Sequence, residues 1–333
     1  MTEGAPSSDL ASMEPNAARR RLGHQLAGAG IEVGPGEFPF RLLRPGVQVR
    51  YVDRLRPEDR HRVLEALGRD PDQAAFDTAR IALEPDFVAD FNAERLGPVP
   101  DGSQDFVIAS HVLEHLAEPL GFVDEIHRVL VPGGLALVLL PDRRRTEDRF
   151  RAATPLGHLV GEHEQAVVEV SAEHLREFLR DRGRPAARGD EWERQLAQYR
   201  EHSFHVHCWD PDEFVEVLAW GIEHRGHQWE LVDATVHDPP IHYEFGYLLR
   251  RGPDELAASA RASQFRAEWR AWRAALVAVR PDAFAEHRRR GVPPWFERSM
   301  RSAIRRSAVA AGAYRRAKAV VRRIRRVRRR PAR

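Results

Sequence analysis

The sequence has a single cysteine, Cys208, in 333 residues. An internal disulfide is therefore excluded, and a reducing cytoplasmic setting is expected. No segment approaches the about 20 consecutive apolar residues that a membrane-spanning helix needs, and the N-terminal residues lack the apolar stretch of a secretory signal. Hydrophobic residues make up 42% of the chain, which is enough to build a sizeable core. These features predict a soluble globular protein.

Acidic residues are missing from the C-terminal segment. Residues 299–333 contain 14 basic and no acidic side chains, whereas the rest of the chain carries 38 basic against 50 acidic ones. Apolar residues recur among these arginines at helical spacing: Tyr314, Ala317, Val320, Val321, Ile324 and Val327. This pattern predicts a basic amphipathic tail. Its apolar stripe favours an anionic membrane surface or a protein partner and disfavours nucleic acid, because phosphate binding needs no stripe.

Short apolar runs alternate with helical patterns in the first half of the chain. The runs that predict strands are Gly30–Val33, Val49–Val52, Phe87–Phe91, Asp105–Ala109 and Leu135–Leu140. Helical patterns cover Phe38–Arg44, Asp59–Leu67 and Leu120–Leu130. Such alternation is typical of a parallel sheet covered by helices on both faces.

The second half contains two further β segments and more helices. Trp229–Val236 and His242–Leu249 predict an antiparallel pair at a sheet edge, and Asp210-Pro211-Asp212-Glu213 predicts a helix start. An aromatic stripe, with Phe265, Trp269, Trp272 and Leu276 at helical spacing, predicts a packed helix face. The predicted organisation is a flexible leader (1–20), a main domain (21–250) with a helical insertion (about 143–203), a helical extension (251–298) and the basic tail (299–333).

A glycine turn follows the first predicted strand. Gly34-Pro35-Gly36 lets the backbone approach a ligand closely, although such a turn also occurs without one. Asp53 lies 17 residues after Gly36, at the end of the next strand, where an acid can accept both ribose hydroxyls of a nucleoside or simply cap a helix. The third glycine of a dinucleotide fingerprint is replaced by Pro39. The pattern therefore favours a nucleoside cofactor without phosphates.

Together these motifs resemble a class I S-adenosylmethionine-dependent methyltransferase of the small-molecule or glycan type. The resemblance rests on five segments: Glu32-Val33-Gly34-Pro35-Gly36, Asp53, Asp90-Phe91, Ser110-His111-Val112-Leu113-Glu114-His115 and Leu130-Val131-Pro132-Gly133-Gly134. It implies a doubly wound, Rossmann-like α/β fold with a mostly parallel sheet, an antiparallel last strand, a helical insertion and C-terminal helices. It also implies S-adenosylmethionine as the cofactor, and it leaves the methyl acceptor open.

The resemblance further implies which residues hold the cofactor. Glu32, Gly34, Pro35 and Gly36 would face its methionine part, and Asp53 its ribose. Asp90 and Phe91 would lie beside the adenine. Ser110 would line the pocket near the sulfonium.

His111 and His115 are the candidate catalytic residues, because a hydroxyl acceptor must lose a proton and histidine titrates near neutral pH. Position favours His111 over His115. In the alternative interpretation, Glu114 and His115 only cap and pack the following helix.

Three other groups of polar residues suggest sites. His202, His205, His207 and Cys208 invite a metal interpretation, but on a strand only His205 and His207 would share a face, so no metal site is predicted. The same segment, together with Tyr243 and Glu244, is expected near the acceptor. Residues 143–151 hold five arginines, which would bind an anionic acceptor or pair with Glu147 and Asp148 in a charged turn.

The sequence thus predicts a cytoplasmic enzyme that transfers a methyl group from S-adenosylmethionine to a hydroxyl or similar nucleophile of a small molecule, glycan or lipid-linked precursor. Peripheral membrane contact through residues 299–333 is part of this hypothesis. Two alternatives remain: a catalytically inactive cofactor-binding or scaffold protein docked through its tail, and a nicotinamide-dependent oxidoreductase. The sequence does not indicate an oligomeric state.

Overall fold

A computed structural model describes residues 17–36, 39–42, 44–56, 59, 84–181, 186–202, 204–236, 243–253 and 257–279. The chain divides into two units, 1–286 and 287–333, and every described residue belongs to the first. The basic tail and most of the helix predicted over Asp59–Leu67 therefore lie outside the described residues. None of the described helices has the length and apolar character needed to cross a lipid bilayer.

Seven strands form one sheet. They are β1 (Ala29–Val33), β2 (Gln48–Asp53), β3 (Phe87–Val88), β4 (Gln104–Ser110), β5 (Leu130–Pro141), β6 (Trp229–Val236) and β7 (Glu244–Arg251). Their order across the sheet is β3-β2-β1-β4-β5-β7-β6. All neighbours are parallel except β7, which runs antiparallel to both β5 and β6. The predicted α/β fold with an antiparallel last strand is confirmed.

Seven α-helices surround the sheet in the described residues. They are α1 (Ala17–Gly23), α2 (Pro119–Val129), α3 (Leu156–Glu164), α4 (Ala172–Asp181), α5 (Asp190–His202), α6 (Pro211–Arg225) and α7 (Ala258–Val279). Two short 3-10 helices, Leu113–His115 and Glu147–Phe150, follow β4 and β5. Helices α3, α4 and α5 lie within the segment predicted as an insertion. Helices α4 and α5 contribute to a small hydrophobic cluster, whereas Leu159 of α3 is buried in the main core.

Sequence signals at the helix ends are realised in the structure. Asp210 caps α6 by accepting hydrogen bonds from the backbone N–H groups of Asp212 and Glu213. The Glu213 side chain in turn accepts a hydrogen bond from the Asp210 N–H. Pro211 occupies the first helical position, where its missing N–H costs nothing. The helix ends at Gly226 in the left-handed conformation. The predicted helix start at Asp210 is confirmed.

The two faces of the sheet are covered differently. One face packs against α2, α6 and α7, and here Phe265 and Trp269 of the predicted aromatic stripe are buried, as expected. The other face packs against Leu22 and Leu26, in α1 and just after it, and against Phe40 from the β1–β2 connection. Side chains from successive strand residues alternate between these two cores, as the pleat requires.

Two sequence predictions are corrected on this second face. The leader was expected to extend to residue 20, but α1 begins at Ala17, and Ala18 is buried because it packs on the sheet face. A helix was expected over Phe38–Arg44, but residues 39–42 and 44–47 are not helical. The Glu32 carboxylate accepts the Phe40 N–H at 2.7 Å, and Arg44 donates to backbone carbonyls after α1, so this connection is held in a non-helical path.

Candidate functional site

The described strand ends bring the predicted site residues to one edge of the sheet. The carboxyl ends of β1, β2 and β4 lie side by side there, because Val33 of β1 pairs with Val52 of β2 on one side and with Ala109 of β4 on the other. The amino end of the antiparallel β7 joins them through the pairing of Pro141 with Glu244. Ligands of open α/β sheets bind at this kind of edge.

The glycine turn occupies the β1 end of this edge. Gly34 and Gly36 both adopt positive φ, 58° and 52°, a backbone conformation that residues other than glycine rarely adopt. The Gly34 N–H donates to the Val52 carbonyl at 2.8 Å. A Cβ atom at Gly34 would lie 3.2 Å from Val112 and 3.4 Å from Phe91. Both the backbone conformation and the neighbouring side chains therefore require glycine at position 34.

Glu32 lies beneath this turn and is almost completely buried. Its Oε1 accepts the Phe40 N–H, whereas its Oε2 is buried without a hydrogen-bond partner among the described residues. Burial raises the pKa of Glu32 to about 7, although the Phe40 N–H and Arg19 oppose the shift. The carboxylate is therefore ready to accept one more donor, and a cationic donor would favour its charged form.

Asp53 and Asp90 follow β2 and β3. Asp53 is buried at the end of its strand and accepts from the Arg54 N–H at 2.7 Å. Asp90 is exposed, and its Oδ1 accepts from the N–H groups of Asn92 and Ala93, which turns the chain after a strand of only two residues. The predicted strand over Phe87–Phe91 is shortened for this reason.

Phe91 and Ser110 complete the set of predicted cofactor residues. Phe91 is buried and meets Phe122 edge to face, with ring centroids 5.7 Å apart. Its ring also borders Gly34, as shown by the distance that a Cβ there would have. Ser110, the last residue of β4, accepts a hydrogen bond from Arg19 at 3.3 Å.

A network of charged side chains occupies the β4–β7 end of the edge. His111 has φ 57°, and its Nε2 lies 3.0 Å from Oε2 of Glu244, while its Nδ1 lies 3.3 Å from Oε1 of Glu114. Both carboxylates are buried. Burial alone would lower the pKa of His111, but the two carboxylates raise it to about 9. The raised pKa favours the charged form of His111 at neutral pH, and a charged imidazole has no lone pair with which to accept a proton.

Arg19 joins this network from α1. It forms a bidentate ion pair with Glu244, and its guanidinium lies over the Phe40 ring at 5.6 Å. Sequence reasoning placed Arg19 in the leader and missed it. A usable signal was present, since Ala18, Leu22 and Leu26 are spaced as one apolar helix face. Glu244 was expected near the cleft, and the structure places its carboxylate there.

His115 differs from His111 in charge. Its Nδ1 donates to the Phe204 carbonyl at 2.9 Å, and its Nε2 lies 3.6 Å from Oε1 of Glu114. Burial lowers the pKa of His115, which stays neutral at neutral pH. Its ring is partly exposed and contacts the ring of His205. A neutral imidazole with a carboxylate 3.6 Å from its unprotonated nitrogen is suited to receive a proton, because the carboxylate stabilises the charge that the ring gains.

The arginines after β5 are paired within the protein. Arg143 forms two 3.0 Å hydrogen bonds to Glu213, and Arg144 pairs with Asp142 at 2.7 Å. Arg151 is buried, pairs with Asp148 and donates to two backbone carbonyls in the 204–209 segment. Of the two interpretations left open for this segment, these contacts favour a paired, charged structure over an anion site.

The cluster around Cys208 does not act as a unit. The His205 ring meets His115, whereas His207 is completely buried and meets the rings of His158 and His174. The Cys208 thiol donates to the Ala152 carbonyl, and burial raises the pKa of this thiol to about 12, so it is unreactive at neutral pH. The side chain of His202 lies outside the described residues.

Part of the chain matches a known protein family. Residues 41–138 match the methyltransferase domain family. The match begins after the glycine turn and includes Asp53, Asp90, Phe91 and the segment from Ser110 to His115.

One curated relative is a probable S-adenosylmethionine-dependent methyltransferase of Mycolicibacterium smegmatis (strain ATCC 700084 / mc(2)155), which is 34% identical over 125 residues. The aligned part is 37% of this chain and 42% of the relative, so this chain matches less than half of the relative's length. Two solved structures were also compared. An S-adenosylmethionine-dependent methyltransferase of Mesorhizobium loti has 11% identity and TM-score 0.40, over 70% of this chain and 96% of that one. One of Aquifex aeolicus has 12% identity and TM-score 0.34, over 74% and 100%. Both TM-scores are low, so no conclusion about this protein rests on these two structures.

Proposed function

We propose that this protein transfers a methyl group from S-adenosylmethionine to an acceptor nucleophile. The observation that carries the proposal is the edge of the sheet within and beside the methyltransferase domain. There a positive-φ glycine turn, a buried glutamate with one unpartnered oxygen and a strand-terminal aspartate lie on adjacent strands. A zwitterionic amino acid attached to a nucleoside offers an ammonium group and two ribose hydroxyls, which match these acceptors.

Each predicted residue has a role in this proposal. The unpartnered Oε2 of Glu32 would accept from the cofactor's ammonium group, and the Gly34–Gly36 turn would follow the methionine chain without a side-chain clash. Asp53 would accept from the ribose hydroxyls. Asp90 and Phe91 would border the adenine, the carboxylate accepting from its amino group and the ring packing on its face.

The same edge lacks what a dinucleotide needs in the residues that the structure describes. A diphosphate is normally bound at the N-terminus of a helix that opens directly after the glycine turn. Residues 39–42 and 44–47 follow a non-helical path here. This disfavours the nicotinamide-dependent alternative and agrees with a cofactor that carries no phosphate.

The cofactor supplies an activated methyl group on a positively charged sulfur. The chain must then position the acceptor and, for a hydroxyl, remove its proton. His115 is better suited than His111 to receive that proton at its Nε2, because it is neutral and Oε1 of Glu114, 3.6 Å from that nitrogen, would stabilise the charge that the ring gains. His111 would instead tie the ends of β4 and β7 together between two carboxylates, with Ser110 beside it.

The acceptor is proposed to be a hydroxyl or similar nucleophile of a small molecule, glycan or lipid-linked precursor. A neutral histidine base supports the hydroxyl class. The basic amphipathic pattern of residues 299–333 supports peripheral contact with an anionic membrane, where a lipid-linked acceptor would be presented.

Calorimetric titration of the full chain with S-adenosylmethionine, S-adenosylhomocysteine and NAD tests the proposal. We expect micromolar binding of both adenosyl ligands, at least tenfold weaker in Asp53→Ala and unchanged in the control Asp101→Ala, whose side chain is exposed. Binding of NAD alone would support the oxidoreductase alternative. No binding of any ligand would overturn the proposal and favour the scaffold alternative.

A further inference from the structure

Four side chains from three separate segments converge within the inserted helices. His158 and Glu162 are one turn apart on α3, His174 lies on α4, and His207 belongs to the segment between α5 and α6. One ligand atom from each lies within 4.8 Å of every other. Three imidazoles and one carboxylate are a typical ligand set for Zn²⁺.

The distances between the converging atoms match a tetrahedral metal site. Nε2 of His158 is 3.0 Å from Nε2 of His174 and 3.1 Å from Oε1 of Glu162. Nε2 of His174 is 3.3 Å from the same Glu162 oxygen. Nε2 of His207 is 3.5 Å from Oε2 of Glu162. A zinc ion bound tetrahedrally at about 2.0–2.1 Å holds its donors about 3.3 Å apart.

His207 provides independent support for a ligand at this position. Its side chain is completely buried, and neither ring nitrogen has a hydrogen-bond partner of acceptable geometry, although the Ala117 backbone is nearby. Oε2 of Glu162 is likewise buried without a hydrogen bond. Buried polar atoms are rarely left unpaired, because the loss of their hydrogen bonds to water is then not compensated. A metal ion at the centre would satisfy Nε2 of His207 and Oε2 of Glu162.

The surroundings of His174 also agree with metal binding. Its Nδ1 lies 2.9 Å from Oγ of Ser171, the residue just before α4. If Nδ1 carries the proton and donates to Ser171, Nε2 is left unprotonated and faces the cluster. Metal-bound histidines usually donate their other ring N–H to such a partner, which fixes the tautomer and the ring orientation.

We propose that His158, Glu162, His174 and His207 bind one Zn²⁺ through three Nε2 atoms and a Glu162 oxygen. Four protein ligands close the coordination sphere, which is typical of a structural rather than a catalytic site. The ion ties α3 and α4 to the segment that also carries His205, and the N–H groups of Val206 and His207 in this segment donate to the Glu114 carbonyl. It therefore fixes the inserted helices against the candidate acceptor site.

This proposal revises the prediction that the chain has no metal site. Sequence reasoning considered His205 and His207 as partners because they are close in sequence. The structure separates those two side chains and supplies His158, Glu162 and His174 from 33 to 49 residues earlier in the chain. Only the i, i+4 pair His158 and Glu162 had a local signal, and one such pair also occurs on ordinary helix surfaces.

The test uses the full chain, stripped with a chelator and titrated with Zn²⁺ alone against a competing indicator. We expect one tight site per chain, and His158→Ala to weaken it at least tenfold. This variant should fold, since 45% of the His158 side chain is exposed. His224→Ala, which removes an exposed histidine of α6, is the matched control and should leave the zinc affinity unchanged.

A second variant separates metal binding from folding. Ser171→Ala keeps all four ligands and should weaken zinc binding about 10-fold to 100-fold through the loss of the His174 partner. Cobalt in place of zinc should give the visible absorption bands of a tetrahedral site, and His158→Ala should lose them. The proposal is overturned if the stripped protein binds no stoichiometric zinc, or if His158→Ala and His224→Ala bind it equally.

Discussion

The two ends of the sheet edge are built in different ways. At the β1–β2 end, the candidate cofactor residues lie close together in sequence, and most of their contacts are with the local backbone. At the β4–β7 end, Arg19, His111 and Glu244 form direct ion pairs across 133 to 225 residues of chain. The first end offers one unpartnered acceptor, Oε2 of Glu32, and backbone space, whereas the charges at the second end are paired with one another.

This difference suggests a division of labour. A site whose polar atoms are left open, such as Oε2 of Glu32, is prepared for a ligand. A site whose charges neutralise one another holds structural elements together and provides a fixed wall. In this account the β1–β2 end binds the cofactor, and the β4–β7 end positions α1, β4 and β7 around the acceptor.

The largest effect is expected from Glu244→Ala. This change leaves Arg19 and His111 without their shared buried carboxylate, and breaking such a pair costs about 3–5 kcal/mol. We expect the free energy of unfolding in urea to fall by about 4 kcal/mol. Glu173→Ala removes an exposed glutamate of α4 and should change it by less than about 0.5 kcal/mol. Equal effects of the two variants would show that the network is not structural.

The second prediction concerns pH. His111 has its pKa raised to about 9 in the folded protein, above the ordinary value of 6.5, so its contribution to stability is complete below pH 6.5 and is lost as the pH rises through 9. At about 1.4 kcal/mol per unit, this contribution amounts to about 3 kcal/mol. Urea unfolding at several pH values should show this loss in the wild type and not in His111→Gln. A wild-type stability that stays level or rises over this range would contradict the paired state of His111.

The third prediction isolates the glycine turn. Gly34→Ala should weaken S-adenosylhomocysteine binding about tenfold, because the methyl group meets Val112 and Phe91 at a backbone conformation that disfavours alanine. Gly46→Ala is the matched control, since Gly46 also has positive φ but nothing lies within 4 Å of its added Cβ. Both variants should lose similar stability from backbone strain. Equal ligand affinities in the two variants would remove the turn from the binding site.

The smallest effect is expected from Asp90→Ala. Its carboxylate accepts two backbone N–H groups after β3, and the loss of such a cap costs about 1 kcal/mol of unfolding free energy. If Asp90 also accepts from the adenine, ligand affinity should fall by about the same amount. Asp90→Asn keeps one acceptor oxygen and should recover part of both. A stability loss with unchanged affinity would reduce Asp90 to a capping residue.

The sequence predicted the sheet well because strand signals are local. Buried runs such as Asp105–Ala109 and capping patterns such as that at Asp210 need no tertiary information. The prediction of a helix in the β1–β2 connection was wrong, because the path of this connection depends on two tertiary features. The Phe40 N–H donates a buried hydrogen bond to Glu32, and the connection packs against α1. Helical spacing alone cannot reveal such a tertiary contact.

The site was predictable to the extent that it follows strand ends. Asp53, Ser110 and His111 lie at the edge where the order of the strands places them. The protonation states were not predictable, because the charge of His111 depends on Glu114 and Glu244, the latter contributed by a strand that begins 133 residues later. For this reason the proposed function assigns the role of base to His115 and not to His111.

The most direct test of the division of labour is a crystal structure of the full chain with S-adenosylhomocysteine. We expect electron density for the ligand along the Gly34–Gly36 turn, with its ribose at Asp53 and its ammonium group at Glu32. Its sulfur should point toward the β4–β7 end of the sheet edge, where His111 and His115 lie. The ion pairs of Glu244 should be unchanged in this complex. Density that instead displaces Arg19 or His111 from Glu244, or that leaves the glycine turn empty, would contradict it.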